Sequence, residues 1–195
     1  MEEKKKTDRR IRKTETAIFS ALISLLAEKP LSEISIRELT ERGDIHRATF
    51  YDHYTDINAC FEALQASVLD EFNAVLKSSP ELNHLLIYSN ILSYLESNQE
   101  RYRVLLGKNG SSDFQSRLAA LIEEDYLGNI RQEYPGLKTD ESWDYLAAYH
   151  TGGSTSMISR WIEKGCVMPK EVMCKLLLAA DQQLDTLYGI KKSKK

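Results

Sequence analysis

The sequence predicts an all-α protein of about nine helices: a three-helix N-terminal head followed by a larger helical domain. Three observations carry that prediction. Apolar residues recur three and four apart through most of the 195-residue chain, and no segment alternates in the way a half-buried strand requires. Breakers fall between these periodic stretches, at Pro30, Gly43, Pro80, 107–110, Pro135-Gly136 and 165–169. Hydrophobic residues make up 42% of the chain, enough to bury a core in one or two domains.

The first helix is expected over 8–29, with Ile11, Ile18, Leu22 and Leu25 on one stripe, Phe19, Ile23 and Leu26 widening it, and Pro30 closing it. Ser35 then reads as an N-cap and Glu38 completes a capping box, so a second helix starts there. Ile36, Leu39 and Thr40 share its inner face. Gly43 stops it, and the left-handed conformation open to glycine suits that position. Asp44, Ile45 and His46 make a turn of helix-turn-helix length, with Ile45 filling the angle between helices.

A third helix follows from Arg47. Phe50 and Tyr54 are four apart, with small Ala48 near them, and that face is expected to pack inward. The outward face is left to His46, Arg47, Thr49, Tyr51, Asp52 and His53, which is the chemistry of a major-groove reader. Arg47 can fork onto guanine or clamp a phosphate, Thr49 can touch a thymine methyl, and Tyr51 and His53 can donate to phosphate oxygens. A solvated polar face is the competing reading.

Charge is divided along the chain. The net charge is −3, yet residues 1–13 hold seven Lys or Arg against three acids, while 56–190 hold eleven against nineteen. A basic arm containing Arg9, Arg10, Arg12 and Lys13 ahead of the first helix suits phosphate neutralisation, with a solubilising arm as the competing reading. The expected organisation is a DNA-binding head over 1–55, a regulatory and dimerisation domain over 56–190, and a basic tail over 191–195.

RELTERGDIHRATFYDHYTD resembles the DNA-binding helices of the tetracycline-repressor (TetR) family, and Thr49, Phe50, Tyr51, His53 and Tyr54 match its recognition-helix pattern position by position. The resemblance implies that Phe50 and Tyr54 are core, that Thr49 and Tyr51 meet DNA, and that Ser35 and Arg37 approach phosphates. Two positions depart from the pattern: His46 stands where a Ser or Thr cap is usual, and Ile57 where many members have lysine. HTGGSTSMISRWIEKG resembles the C-terminal helix of a TetR subgroup, so the likeness covers both ends of the chain. It implies a transcription regulator, with repression the expected sign, binding a palindromic operator in double-stranded DNA as a homodimer.

The helix opening at Thr55 or Asp56 carries Phe61, Leu64, Val68, Phe72 and Leu76, and runs from the head into the second domain. Further helices are expected at about 82–98, 99–107, 111–133, 140–165 and 169–188. The last two have the features of a dimer seam. Candidate interface residues are Gly152, Gly153, Ser156, Met157 and Trp161 on one, and Met173, Leu177, Ala180 and Leu184 on the other. A helix break at Gly152-Gly153 is the competing reading. The resemblance also implies a small-molecule pocket, for which His84, Tyr88, Tyr94, Tyr102, Phe114, Tyr126, Trp143 and Tyr145 are candidate lining residues; ordinary core packing competes for each.

No catalytic constellation stands out. The four histidines have no HExxH spacing, 107–110 lacks a phosphate-loop pattern, and Cys60, Cys166 and Cys174 have no CxxC spacing. The cysteines read as reduced thiols on apolar helical stretches. No metal or cofactor is expected. No apolar run has the length of a membrane span and no signal-like segment follows the charged start, so a cytoplasmic location is expected. The rival reading is a helical dimer with a degenerate DNA head that works by binding a protein.

Overall fold

The computed structural model describes residues 2–78, 83–134 and 141–187, and of 2–9 and 184–187 the backbone course alone. The described residues form nine α-helices and no strand: α1 (Glu2–Glu28), α2 (Ile36–Arg42), α3 (Arg47–His53), α4 (Ile57–Leu76), α5 (His84–Ser97), α6 (Gln99–Leu106), α7 (Ser112–Glu133), α8 (Ser142–Glu163) and α9 (Lys170–Leu187). A 3₁₀ turn, Leu31–Glu33, links α1 to α2. The expected breaks at Pro80 and Pro135-Gly136, and the tail over 191–195, lie outside the described residues.

Helix α1 is longer than the sequence suggests. It begins at Glu2, so the basic residues form its opening turns instead of an arm ahead of it. The physical reason is visible in MEEKKKTDRRIRK: it holds no Gly or Pro, is rich in Lys, Arg and Glu, and starts with two acids that complement the helix dipole. Ile11 is 44% exposed, so the buried stripe starts later, at Ile18, and continues through Leu22, Leu25 and Leu26.

The chain divides into two compact units, with the division falling within α4. The first ends at Asp70 and takes in Val104–Phe114; the second holds Glu71–Arg103 and Gln115 onward. In the first unit, Ile18, Leu22, Leu26, Leu39, Phe50, Cys60 and Leu64 are all buried. Polar links tie α1 to α2: Lys29 Nζ lies 2.6 Å from Glu38 Oε1, and Arg42 Nη1 donates to Ser24 Oγ at 2.6 Å and Glu28 Oε1 at 2.9 Å. Arg42 holds the Glu28 carboxyl below its ordinary range, and Lys29 does the same for Glu38. The Arg42 pair is exposed and the Lys29 pair half-buried, and such pairs orient more than they stabilise. Within the same unit Asn109 Nδ2 donates to the Leu26 carbonyl at 2.8 Å.

The turn after α2 differs from expectation in an instructive way. Gly43 has φ −86°, a right-handed conformation, and it is Asp44 that takes the left-handed region with φ 49°. Gly43 is needed for space. A Cβ there would stand 3.3 Å from the Leu39 carbonyl oxygen, 3.4 Å from that of Ala17 and 3.4 Å from Ala21 Cβ. The missing side chain is what lets the end of α2 lie against α1.

In the second unit α9 packs along α5. Asn83 caps α5 by accepting from the Leu86 N–H at 3.1 Å. Gly152-Gly153 does not interrupt α8, which is continuous from Ser142 to Glu163. Gly165 (φ 77°) and Cys166 (φ 53°) turn the chain into α9, and Trp161 Nε1 closes that turn by donating to the Met168 carbonyl at 2.7 Å. Cys166 therefore lies in a turn and is half-buried, not on a helix. Cys60 and Cys174 are buried, and all three cysteines are free. Among the described residues no helix is long and apolar enough to cross a membrane, and no three metal-ligating side chains converge.

Two predictions follow from this packing. Gly43→Ala is expected to lower stability by about 1 kcal/mol because backbone lines the space its Cβ needs, whereas Asp44→Gly relieves a left-handed residue and is neutral or stabilising by up to about 1 kcal/mol; urea unfolding of both variants checks the contrast. Burial pushes the Cys60 thiol up to about 12. At pH 8 the folded protein is expected to be alkylated at Cys166 well before Cys60, by peptide mass mapping after timed iodoacetamide treatment.

Candidate nucleic-acid interface

The site is built on α3, of whose seven residues Phe50 alone is buried. Phe50 is fully buried, and its ring lies 5.8 Å from that of Tyr54. Tyr54 in turn stacks on Phe19 of α1 at 6.1 Å and donates its hydroxyl to Glu15 Oε1 at 3.2 Å. Burial and the Glu15 carboxylate push the Tyr54 phenol well above its ordinary value, which keeps it the donor in that bond. Packing against α1 thus sets the rotation of α3 about its own axis.

His46, Arg47, Tyr51 and Asp52 are exposed, while Thr49 and His53 are half-buried, and the Tyr51 ring meets the edge of Phe50 with centroids 5.6 Å apart. Ala48 also faces outward, contrary to the expectation that it lies on the packing face; it follows Arg47 directly and sits a little over half a turn from Phe50. Arg47 and Tyr51, four apart, lean together: Arg47 Nη2 is 3.5 Å from Tyr51 Oη, and the guanidinium carbon lies 5.9 Å from the ring centroid. This pairing holds a cation and a phenol side by side on the exposed face.

The end of α3 that leads this face is open. His46 has the extended backbone of an N-cap, φ −72° and ψ 143°, but its side chain makes no capping hydrogen bond. In α2 the reverse holds. The Ser35 hydroxyl accepts from the Glu38 N–H at 3.2 Å and reaches Glu38 Oε2 at 3.2 Å, so it is engaged in the capping box. Arg37 is exposed and paired with Glu41 at 2.8 Å. On α1, Arg10, Arg12 and Lys13 are exposed; the Arg9 side chain lies outside the described residues.

The candidate pocket residues do not gather in one place. Phe114 is buried in the first unit, and Tyr145 is 71% exposed. Tyr94 and Tyr102 pack with Phe72, and Tyr94 donates to Glu71 at 3.0 Å, where Arg101 also binds at 2.6 Å. His84 pairs with Glu133 at 3.0 Å. Tyr88, Tyr126 and Trp143 lie on or near a cluster that the sequence gives no means of finding, because its centre joins residues from four helices. His150 stacks on Tyr126 with centroids 3.8 Å apart and reaches Asp181 Oδ1 at 3.1 Å through Nε2. Tyr88 donates to Asp181 Oδ2 at 2.6 Å. Burial, then the Asp181 carboxylate, push the Tyr88 phenol far up. His150 Nδ1, Thr151 Oγ1 and Thr155 Oγ1 are buried without a partner among the described residues. Trp143 belongs to the adjoining apolar group with Ile130 and Leu146, against which Tyr126 packs.

The seam residues also divide. Gly152, Gly153, Ser156 and Ala180 are exposed and Met157 is half-buried, whereas Trp161, Met173 and Leu177 are buried within the chain; Leu184 lies outside the described side chains. The outer face of α8 and α9 is carried instead by Tyr145, Tyr149, Val172 and Leu176, all more than 40% exposed. Period alone marks which residues share a helix face, not which of two apolar faces turns inward.

A capped short helix, a four-residue turn over 43–46 and a second short helix with one buried and one polar face define a helix-turn-helix protein with an appended helical domain. Residues 83–180 match the TetR-type family model described as "Transcriptional regulator C-terminal region". The chain belongs to the TetR family of transcriptional regulators. It is 28% identical to a TetR transcriptional regulator from Streptococcus agalactiae 2603V, with a TM-score of 0.66 over 89% of this chain and 96% of that one. A TetR-family regulator from Streptomyces coelicolor shares the fold, with a TM-score of 0.69, 12% identity and coverage of 90% and 82%. Over 56 residues the chain is 43% identical to the uncharacterized HTH-type transcriptional regulator YxbF of Bacillus subtilis (strain 168), a stretch that is 28% of this chain and 15% of that relative.

The open cap yields a prediction. His46→Ser places a hydroxyl where it can accept from the free amides of α3, and is expected to raise stability by about 1 kcal/mol, measured by thermal unfolding.

Proposed function

We propose that this regulator binds a palindromic operator as a homodimer, reading the major groove with α3 and releasing DNA when a small molecule binds its second unit. The observation that carries the reading is the exposed face of α3, where Arg47 and Tyr51 stand together in the open while Phe50 of the same helix is buried. Thr49 and His53 flank them, and Arg10, Arg12 and Lys13 supply positive charge from α1. In this reading Asp52 sits off the phosphates or accepts from a cytosine amino group. Residues 1–55 form the reading head, and the remainder regulates and dimerises.

Homodimerisation is supported by the apolar and small residues left open on α8 and α9, two helices per chain that make a four-helix seam across a two-fold axis. Effector binding is supported by the buried polar atoms around His150, Thr151 and Thr155, with Tyr88, Tyr126 and Trp143 as the aromatic surround. A polar ligand able to accept or donate among aromatic walls suits that surround.

Selection from a random DNA duplex pool tests the reading. The expected result is an enriched palindrome with half-sites roughly 34–36 Å apart. Tyr51→Ala is expected to weaken binding to it about five- to thirtyfold while leaving a steep salt dependence. A pool that yields no palindrome, or full affinity in Tyr51→Ala, overturns it.

A further inference from the structure

The exposed face of α8 is unlike at its two ends. At its middle are Gly152 and Gly153, at each of which a Cβ would meet nothing within 4 Å. Toward the N-terminus Tyr145 and Tyr149 are 71% and 69% exposed, and beyond them Asp144 and Glu141 are exposed acids. Toward the C-terminus an open apolar cleft of about 490 Å³ is lined by Met157, Trp161, Val167, Met168 and Met173, together with the cationic side chains Arg160 and Lys164. Val167, at its edge, is 82% exposed. An exposed tyrosine suits a methionine-rich cleft with cations at its margin, through apolar contact and cation–π attraction. Yet Tyr145 and the cleft are separated by roughly 24 Å of helix, so no chain can fill its own.

We propose that a second copy of this chain fills the cleft: two α8 helices cross antiparallel at Gly152-Gly153, and Tyr145 of each enters the cleft of the other. This rests on the homodimer reading above and goes beyond it by assigning the register and the anchor. A two-fold axis through the Gly152-Gly153 peptide sets Tyr145 level with Arg160, Tyr149 with small Ser156, and Glu141 with Lys164. Acid meets base at both ends of the pair. A parallel arrangement would set Glu141 against Glu141 and leave both clefts open. The glycines let the axes approach to the short end of the usual 8–10 Å separation, which keeps the flanking side chains within reach of each other. Tyr, Trp and Arg at a desolvated pocket are also the residue types that dominate interface energetics.

Sedimentation equilibrium on the full chain tests the register. Tyr145→Ala, at an exposed position, is expected to leave helix content unchanged and to weaken dimerisation at least about tenfold. Glu141→Lys and Lys164→Glu are each expected to weaken it several-fold, and the double variant to recover most of the loss. That recovery cannot arise within one chain, where the two positions are roughly 34 Å apart along α8. A dimer that tolerates Tyr145→Ala, or in which the two charge reversals simply add, overturns this register and leaves the homodimer standing. A wild type that stays monomeric at all concentrations removes the homodimer reading itself.

Discussion

A helix of seven residues closes too few hydrogen bonds of its own to persist in water, because nucleation costs more than so short a run returns. Helix α3 exists because Phe50 is driven fully into the core beneath it, alongside Leu39 of α2 and the stripe of α1. That burial, worth about 2–3 kcal/mol for one phenylalanine, also decides direction. Once Phe50 is inside, Ala48 and Asp52 must be outside, and Arg47 and Tyr51 stand exposed at its flank. Tyr54 then prevents α3 from rolling, since its ring is held by Phe19 and its hydroxyl by Glu15, a residue on a different helix. The polar face of α3 is therefore oriented by groups that never reach that face.

Much of the fold is legible in the sequence because its signals are local. Ser35 and Glu38 announce a helix start and make the box, and the breakers between periodic stretches lie within a few residues of the observed helix ends. What is not legible depends on contacts between distant segments. Gly43 looks like a glycine kept for its left-handed conformation, and only the closeness of Ala17 and Ala21 shows that it is kept for space. The basic start looks like an arm because it has no apolar stripe, although its propensities favour helix. For α8 and α9 the sequence shows an apolar face but not its direction: Trp161, Met173 and Leu177 turn inward, while Tyr145 and Tyr149 remain outside.

The candidate site divides along the same line. The residues of α3 are readable because a four-residue period sets Phe50 beside Tyr54 and Arg47 beside Tyr51, one apolar pair and one polar. The centre of the second unit is not, because His150, Asp181, Tyr88 and Tyr126 come from helices far apart in sequence and no spacing rule connects them. A buried imidazole against a carboxylate is costly to assemble unless its neighbours supply hydrogen bonds. Tyr88 supplies one of these, while Nδ1 of the same imidazole has none.

Gly152 and Gly153 carry a consequence for how this chain tolerates change. Two adjacent glycines inside an uninterrupted helix disfavour it by about 2 kcal/mol relative to alanine, and nothing within the protomer gains from them. Replacing either one would make an isolated chain sturdier. Selection for a stable monomer would thus push this pair toward alanine, and only the demands of assembly would oppose it. In the proposed dimer, folding and association are recorded at different positions of one helix, and a screen that scores expression or melting temperature alone would rate a variant that assembles poorly as the improved protein.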